Sequence, residues 1–391
     1  MHAVHRVQDL LNAQLTPMHA ARKAALFAAV AALVRGGKLP LTSLGRSIAG
    51  AGAHKHGIKR VDRLLGNQAL LAEQTLVYRA LAHQTITAGQ RPILLVDWSE
   101  AGAERCMLTA AVAFQGRAIS IWTEAHPLSK LGNAAVETRF LKRLRDILPQ
   151  GCRPIVVTDA GFRVPWFRKV LRLGWDYVGR LRGRLYLQPA QTPTWVPLKS
   201  LVPQTRRRPQ DLGPWRIARS QAHLARLILF DGRSRRALRR ARPHKGRAIS
   251  AKQAAKSARE VWRLVTSLST ETATQVVRVY ALRMQIEELL RDTKSHRFGW
   301  AFEDARPRRL ERLGTLVLLA TLATFAATLA GLAAEAAGLH RGYQANTIHT
   351  RRVLSLVTLG RLILADHPAR GGLLRALATM RRQMPSTMSL A

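Results

Sequence analysis

Between residues 1 and 85 apolar side chains recur at helical intervals, and the surrounding positions are polar or basic. The run ARKAALFAAVAALVRG (21–36) predicts a helix that ends at Gly36-Gly37. LTSLGRSIAGA (41–51) predicts a second, and IKRVDRLLGNQAL (58–70) a third after a break at His54 to Gly57. Helix, short glycine-containing turn, and helix with Lys59, Arg60 and Arg63 in its first turns is the order of a helix-turn-helix DNA-binding unit. Any small helical bundle with a basic face shares that order.

From residue 91 the period changes. PILLVDWSE (92–100), CMLTAAVAFQ (106–115) and RAISIWTEA (117–125) read as strands, the last two joined by a hairpin at Gly116. AAVETRFLKRLRDIL (134–148) is an amphipathic helix, PIVVTDAGF (154–162) a short strand, VPWFRKVLRLG (164–174) a helix closed by glycine, and DYVGRLR (176–182) a fifth strand. The order βββαβαβ predicts an α/β fold, a mixed five-stranded sheet with flanking helices. Residues 183–270 break the pattern. Fourteen Lys or Arg and two Asp lie between Arg206 and Arg247, around strand-like runs at 224–232 and 260–268. This reads as a basic β-rich insertion or, equally, as a flexible charged loop.

Helical periodicity then returns. In YALRMQIEELLRDTK (280–294) the side chains of Tyr280, Arg283, Glu287 and Lys294 are spaced to return to one side of a single helix, with Leu282, Ile286, Leu289 and Leu290 on a neighbouring face. From Leu313 to Ala334 there is no charge. That stretch is long enough to span a bilayer, but its Ala, Thr and Gly drive insertion weakly, and a helix buried in a large protein has the same composition. The expectation is a helix packed on the sheet, with no membrane. Residues 336–391 read as helical. The expected division is a helical DNA-binding region (1–85), a catalytic core in two parts (86–182 and 271–335) around the insertion (183–270), and a C-terminal helical region (336–391).

Charge adds a partner. Lys and Arg total 63 against 23 Asp and Glu, a net charge of +40 over 391 residues. A surface this basic repels itself unless a polyanion neutralises it, and nucleic acid is the first candidate. With 47% hydrophobic residues the chain is no disordered basic tail. Cys106 and Cys152 are too few for a disulfide framework or a zinc site, and no secretory signal opens the chain. A cytoplasmic, nucleoid-associated protein is expected.

Asp97 and Asp159 follow the apolar runs LLV and VVT. In a βββαβ sheet the first and fourth strands are natural parallel neighbours, so the two carboxylates would lie side by side, with Glu287 as a third from a later helix. Oxygen ligands of this kind suit Mg2+, with Mn2+ as a substitute. Each residue has an ordinary reading as well. An Asp at a strand end is often a turn former or helix cap, and the Tyr280–Lys294 face serves equally as a solvated face with i,i+4 ion pairs. Glu100, Glu104 and Glu124 compete with Asp97 for the acidic role, and Glu288 with Glu287.

The run Tyr280-x2-Arg283-x3-Glu287-x6-Lys294 resembles the Y-R-E-K motif of bacterial insertion-sequence transposases, the insertion-sequence-4 family of DDE enzymes. VDWSE around Asp97 and VVTDAGF around Asp159 resemble that family's first two acidic boxes. Met284 stands where relatives often carry Trp. The resemblance covers roughly residues 85–335 and implies an RNase H-like catalytic domain with Asp97, Asp159 and Glu287 as metal-binding triad. It implies that Tyr280, Arg283 and Lys294 contact DNA phosphates. Double-stranded DNA, as transposon terminal inverted repeats and as target, would be the partner, and a homodimer would pair the two ends. The expected activity is metal-dependent cleavage at the ends and strand transfer into a target. An RNase H-like nuclease or resolvase without strand transfer, or a non-catalytic DNA-binding relic acting as repressor, are the other readings.

Overall fold

The computed structural model describes residues 2–50, 52–102, 104–205, 207–232, 261–345, 347–348 and 350–366. The basic run at 233–260 and the C-terminal 367–391 lie outside the described residues. The chain divides into two compact units, residues 1–152 with 284–391 and residues 153–283.

The first unit begins with five helices, α1 (His2–Asn12), α2 (Ala20–Val34), α3 (Leu41–Arg46), α4 (His54–Leu65) and α5 (Gln68–Thr85). His54 to Gly57 is therefore the first turn of α4 rather than a break. A second boundary falls where 58–70 had read as one helix, because the Asn67 side chain accepts from the Leu70 amide at 2.8 Å and starts α5. Helices α3 and α4 meet at Gly45, where an added Cβ would stand 2.5 Å from the Ile58 Cα.

Three antiparallel strands follow, β1 (Ile93–Glu100), β2 (Arg105–Phe114) and β3 (Arg117–Pro127). Gln115 and Gly116 both have positive φ, as a two-residue hairpin loop matched to strand twist requires. Helix α6 (Ala134–Ile147) is tied to this sheet by Trp98 Nε1 donating to Glu137 at 3.0 Å and Arg143 donating to Glu124 at 3.0 Å.

The first unit resumes after the second with α9 (Met284–Lys294), the short α10 (Phe302–Ala305), α11 (Leu310–Ala336) and α12 (Leu356–Asp366). Helix α9 packs on β1, β2 and β3. Helix α11 is the one described helix long and apolar enough to cross a membrane, and its most apolar window is wholly buried. It packs on β3, α1, α2, α4, α5 and α12, as the expectation of a core helix required. Gly331 and Gly360 let α11 and α12 touch backbone to backbone, since a Cβ on Gly360 would overlap the Ala327 carbonyl oxygen at 1.8 Å.

The second unit holds β4 (Ile155–Thr158), α7 (Val164–Arg172), β5 (Asp176–Arg180), β6 (Tyr186–Pro189), β7 (Val196–Pro197), β8 (Gln210–Ile217), β9 (His223–Phe230), β10 (Trp262–Thr266) and α8 (Ala273–Ala281). Strands β4 and β5 are parallel, and the sheet continues antiparallel through β10, β9, β8, β6 and β7. All five expected strands are present in this mixed α/β chain, but the described strands number ten. The segment read as a basic β-rich insertion supplies β6 to β10, and β10 pairs with β5 and buries Leu264 and Val265. Helix α8 packs on β4 and β5.

Candidate active site

Asp97 does not end its strand. Strand β1 runs on to Glu100, and Asp97 faces Thr109 of β2 across the ladder. The buried run Ile93–Val96 fixes β1 in the core, and from Asp97 onward the strand emerges half-buried. On α9, Gln285, Ile286, Leu289 and Leu290 face inward and Glu287 is exposed. Gln285 anchors the helix start by accepting the Phe114 amide at 2.8 Å. The result is a cleft of about 360 Å3 lined by Asp97, Ser99, Glu287, Arg291, Lys294 and Glu303 among others. Two of the three expected carboxylates thus share one cleft in the first unit.

Lys294 closes one end of it. Its ammonium donates to the Ser99 hydroxyl and to the Glu100 carbonyl. Burial pushes its pKa below the usual lysine value, against the opposing pull of Glu100, Asp97 and Glu303. The ammonium expected to meet phosphate is thus engaged with the end of β1.

The competing acids are employed elsewhere. Glu288 lies about 100° round the helix from Glu287 and pairs with Arg117 at 3.3 Å and with Arg291. Glu124 is buried and accepts from Trp122 at 3.1 Å, His126 at 3.0 Å and Arg143 at 3.0 Å. Burial alone would raise its pKa, but the hydrogen bonds and charges of His126 and Arg143 outweigh that and hold it below the usual carboxylate range. Glu104 sits at positive φ in the β1–β2 turn.

Asp159 belongs to the second unit. It is the first residue after β4, half-buried, and its Oδ1 accepts from the Gly161 amide at 2.8 Å. That is an Asx turn, so the ordinary turn-forming role is realised for one of its oxygens.

The four motif residues do not share one helix. Helix α8 ends at Ala281 and α9 begins at Met284. Between them Leu282 and Arg283 donate to residues three back, Val279 and Tyr280, at 3.2 and 3.0 Å, so the chain winds tighter and the angular register is lost. Tyr280 and Arg283 consequently belong to the second unit, and Glu287 and Lys294 to the first. Tyr280 is 3% exposed and packs edge-on to Trp262 at 4.9 Å. Burial raises its pKa, while Arg283 and Arg180 pull it down and Asp159 pushes it up. In the second unit, then, Asp159, Tyr280, Arg283 and Arg180 are electrostatic neighbours. Arg180 was missed in the sequence, where it is one strand-end arginine among many. Glu303 and Ser99 were missed because no spacing ties them to Glu287.

Among the described residues no group of three or more His, Cys, Asp or Glu is gathered to hold a metal ion. The donor set of the cleft still fits a hard divalent cation, since Asp97 and Glu287 both offer carboxylate oxygen. At the N-terminal end, Lys59, Arg60 and Arg63 are all exposed on α4, whose opposite side buries Val61, Leu64 and Leu65. Trp215 is buried, with Nε1 on the Leu212 carbonyl at 3.1 Å, and Trp262 packs on Phe230 and Tyr280.

No curated protein matches the chain. The transposase DDE domain family matches residues 87–325, a span from just before β1 to the middle of α11 that holds Asp97, Asp159 and Glu287. That span is more than half of the 391 residues, and the chain belongs to the family of transposase DDE domains.

Proposed function

We propose that this transposase cuts its element out of DNA and pastes it into a target, as an insertion-sequence-4 enzyme with an RNase H-like core and the Y-R-E-K residues Tyr280, Arg283, Glu287 and Lys294. The observation that carries the reading is the cleft in which β1 and α9, both inside the matched span, present Asp97 and Glu287 together. Asp159 is proposed as the third carboxylate of the same set.

Asp97, Asp159 and Glu287 would hold Mg2+ (or Mn2+), which supplies charge neutralisation at the phosphate and a more acidic water. Water attacks the phosphodiester at the element's end, the P–O3′ bond breaks, and the departing oxygen leaves as a 3′-hydroxyl. That hydroxyl then attacks a phosphodiester of the opposite strand, giving a hairpin end, or, later, one of target DNA; each attack forms a new P–O bond and expels the O3′ of the attacked strand as a 3′-hydroxyl. Arg283 forks its donors onto a phosphate and holds the strand for these attacks. Tyr280, only 3% exposed, would donate one hydrogen bond to a phosphate from its hydroxyl. Lys59, Arg60 and Arg63 on α4 bind the terminal repeat. Pairing two ends calls for a dimer on DNA, and the protein acts in the cytoplasm on the nucleoid.

The test is incubation with DNA carrying candidate terminal repeats and Mg2+, with the cut positions mapped. Asp97→Asn and Asp159→Asn should each abolish cutting while DNA affinity is retained. Cutting at the wild-type rate by either variant, or cutting in excess chelator, would refute the triad. Absence of strand transfer from a pre-cut end would leave a nuclease.

A further inference from the structure

The first unit carries a second cleft, of about 330 Å3, which shares Arg291 with the first. Its walls come from the end of α2, the start of β3, helix α9, the loop at Arg297-Phe298 and helix α12. Four guanidinium groups line it, those of Arg117, Arg291, Arg297 and Arg361, against one carboxylate, Asp292. Asp292 is buried and is occupied by Arg117 Nε at 3.0 Å. Arg117 and Arg291 are also paired with Glu288, so the surplus of positive charge in the lining rests on Arg297 and Arg361.

Two of the arginines are held in place by their neighbours. Arg361 donates to the Phe298 carbonyl at 2.6 Å and lies 4.7 Å over the Trp300 ring. Arg297 lies 5.1 Å over the Phe298 ring. Burial pushes the Arg361 pKa below its ordinary value, so its charge is partly stripped of water. A concave, partly dry wall concentrates the field of such charges, and planar guanidinium forks match the oxygens of a phosphate. Arg291 lines both clefts, which places them side by side on α9.

We propose that this second cleft binds the phosphodiester backbone of duplex DNA, next to the stretch of strand held at Asp97 and Glu287. The assignment rests on the reading of the first cleft as the cutting site. The partner follows from charge, because an isolated arginine cleft on a chain of net charge +40 complements a continuous polyanion. Arg291, shared between the clefts, would be touched by the strand as it passes from one to the other.

Thr358 offers a way to test it. It is exposed, lines the cleft, and is the third residue of an N-terminus capped by Ser355, whose Oγ accepts the Thr358 amide at 3.1 Å. A glutamate there completes a capping box in place of the Thr358 hydroxyl's 2.8 Å bond with the Ser355 hydroxyl, so Thr358→Glu puts a negative charge into the cleft and keeps the helix capped. The full-length protein is titrated with a random-sequence duplex of about 30 base pairs, without metal, over a series of salt concentrations. Thr358→Glu and Arg297→Glu should each weaken binding several-fold and lower the slope of log affinity against log salt by about one. In Thr358→Cys, saturating duplex should slow maleimide labelling of the peptide carrying residue 358 about ten-fold, and high salt should restore it. An unchanged slope in both charge variants, or equal labelling with and without bound duplex, overturns the proposal. So does protection that grows with protein concentration in the absence of DNA, since a second copy would then cover the cleft. None of these readouts involves cutting, so loss of the proposed activity and loss of this site are told apart.

Discussion

The ammonium of Lys294 donates to the hydroxyl of Ser99, two residues beyond Asp97 on the same strand. Its second acceptor is the adjoining Glu100 carbonyl, so the last turn of α9 is tied to the end of β1. Lys294 thereby holds the two elements that present Glu287 and Asp97. Lys294→Ala should lower stability by about 1–2 kcal/mol and slow the first nick as well as later steps. Ser99→Ala should reproduce part of the nicking defect although it removes no charge. Denaturant unfolding and single-turnover nicking check this. A Ser99→Ala enzyme with normal nicking would leave Lys294 as a phosphate contact only.

Glu287 lines the cleft and Glu288 does not, so the two should respond differently to loss of charge. Glu287→Gln should block nicking at any Mn2+ concentration. Glu288→Gln should cost only its ion pairs with Arg117 and Arg291, about 1 kcal/mol of stability, and leave nicking measurable. Equal loss of activity in both would show that the face of α9 is misassigned.

The exposed basic side of α4 predicts a sequence-reading role. Lys59→Ala, Arg60→Ala and Arg63→Ala should each reduce affinity for DNA, and the triple variant should lose discrimination between terminal-repeat and random duplex by more than it loses total affinity. Competition binding at fixed salt measures both. If discrimination survives in the triple variant, α4 is not the reader.

Gly360 on α12 meets the backbone of α11 at Ala327. Alanine has the better helix propensity, worth about 1 kcal/mol, but its methyl group has no room here. Gly360→Ala should therefore destabilise the first unit by about 2–3 kcal/mol, the cost of forcing apart a packed helix pair. Gly342→Ala, at a glycine with open space around it, is the control. Thermal melts of the two variants decide the point.

Glu124 makes a pH-dependent contribution. Its folded pKa is held below the ordinary 4.5, so its stabilisation is fully present above that value and is lost as pH falls through it toward the lower folded value. Glu124→Gln should cost about 2 kcal/mol at neutral pH and progressively less on acidification. A cost that does not fall as the pH drops from neutral through the ordinary 4.5 would mean that packing, not charge, is lost.

Much of this architecture is local, and local patterns are legible in a sequence. Short apolar runs marked β1, β2 and β3, the period of 3.6 marked α2, α6 and α7, and Gly116 marked the hairpin, because each depends on neighbours a few residues away. The buried course of α11 was legible too, since Ala, Thr and Gly suit close helix packing. The Y-R-E-K spacing singled out Glu287 and Lys294, both of which line the cleft, but it presumed an unbroken helix. A tightening at Leu282-Arg283 shifts the angle, and no residue type there announces it. Tertiary structure alone decided that Lys294 turns to Ser99, that β10 adds to β5, and that Glu303 joins Asp97 and Glu287. These depend on which distant segments meet, and that is set by the packing of whole elements rather than by spacing along the chain.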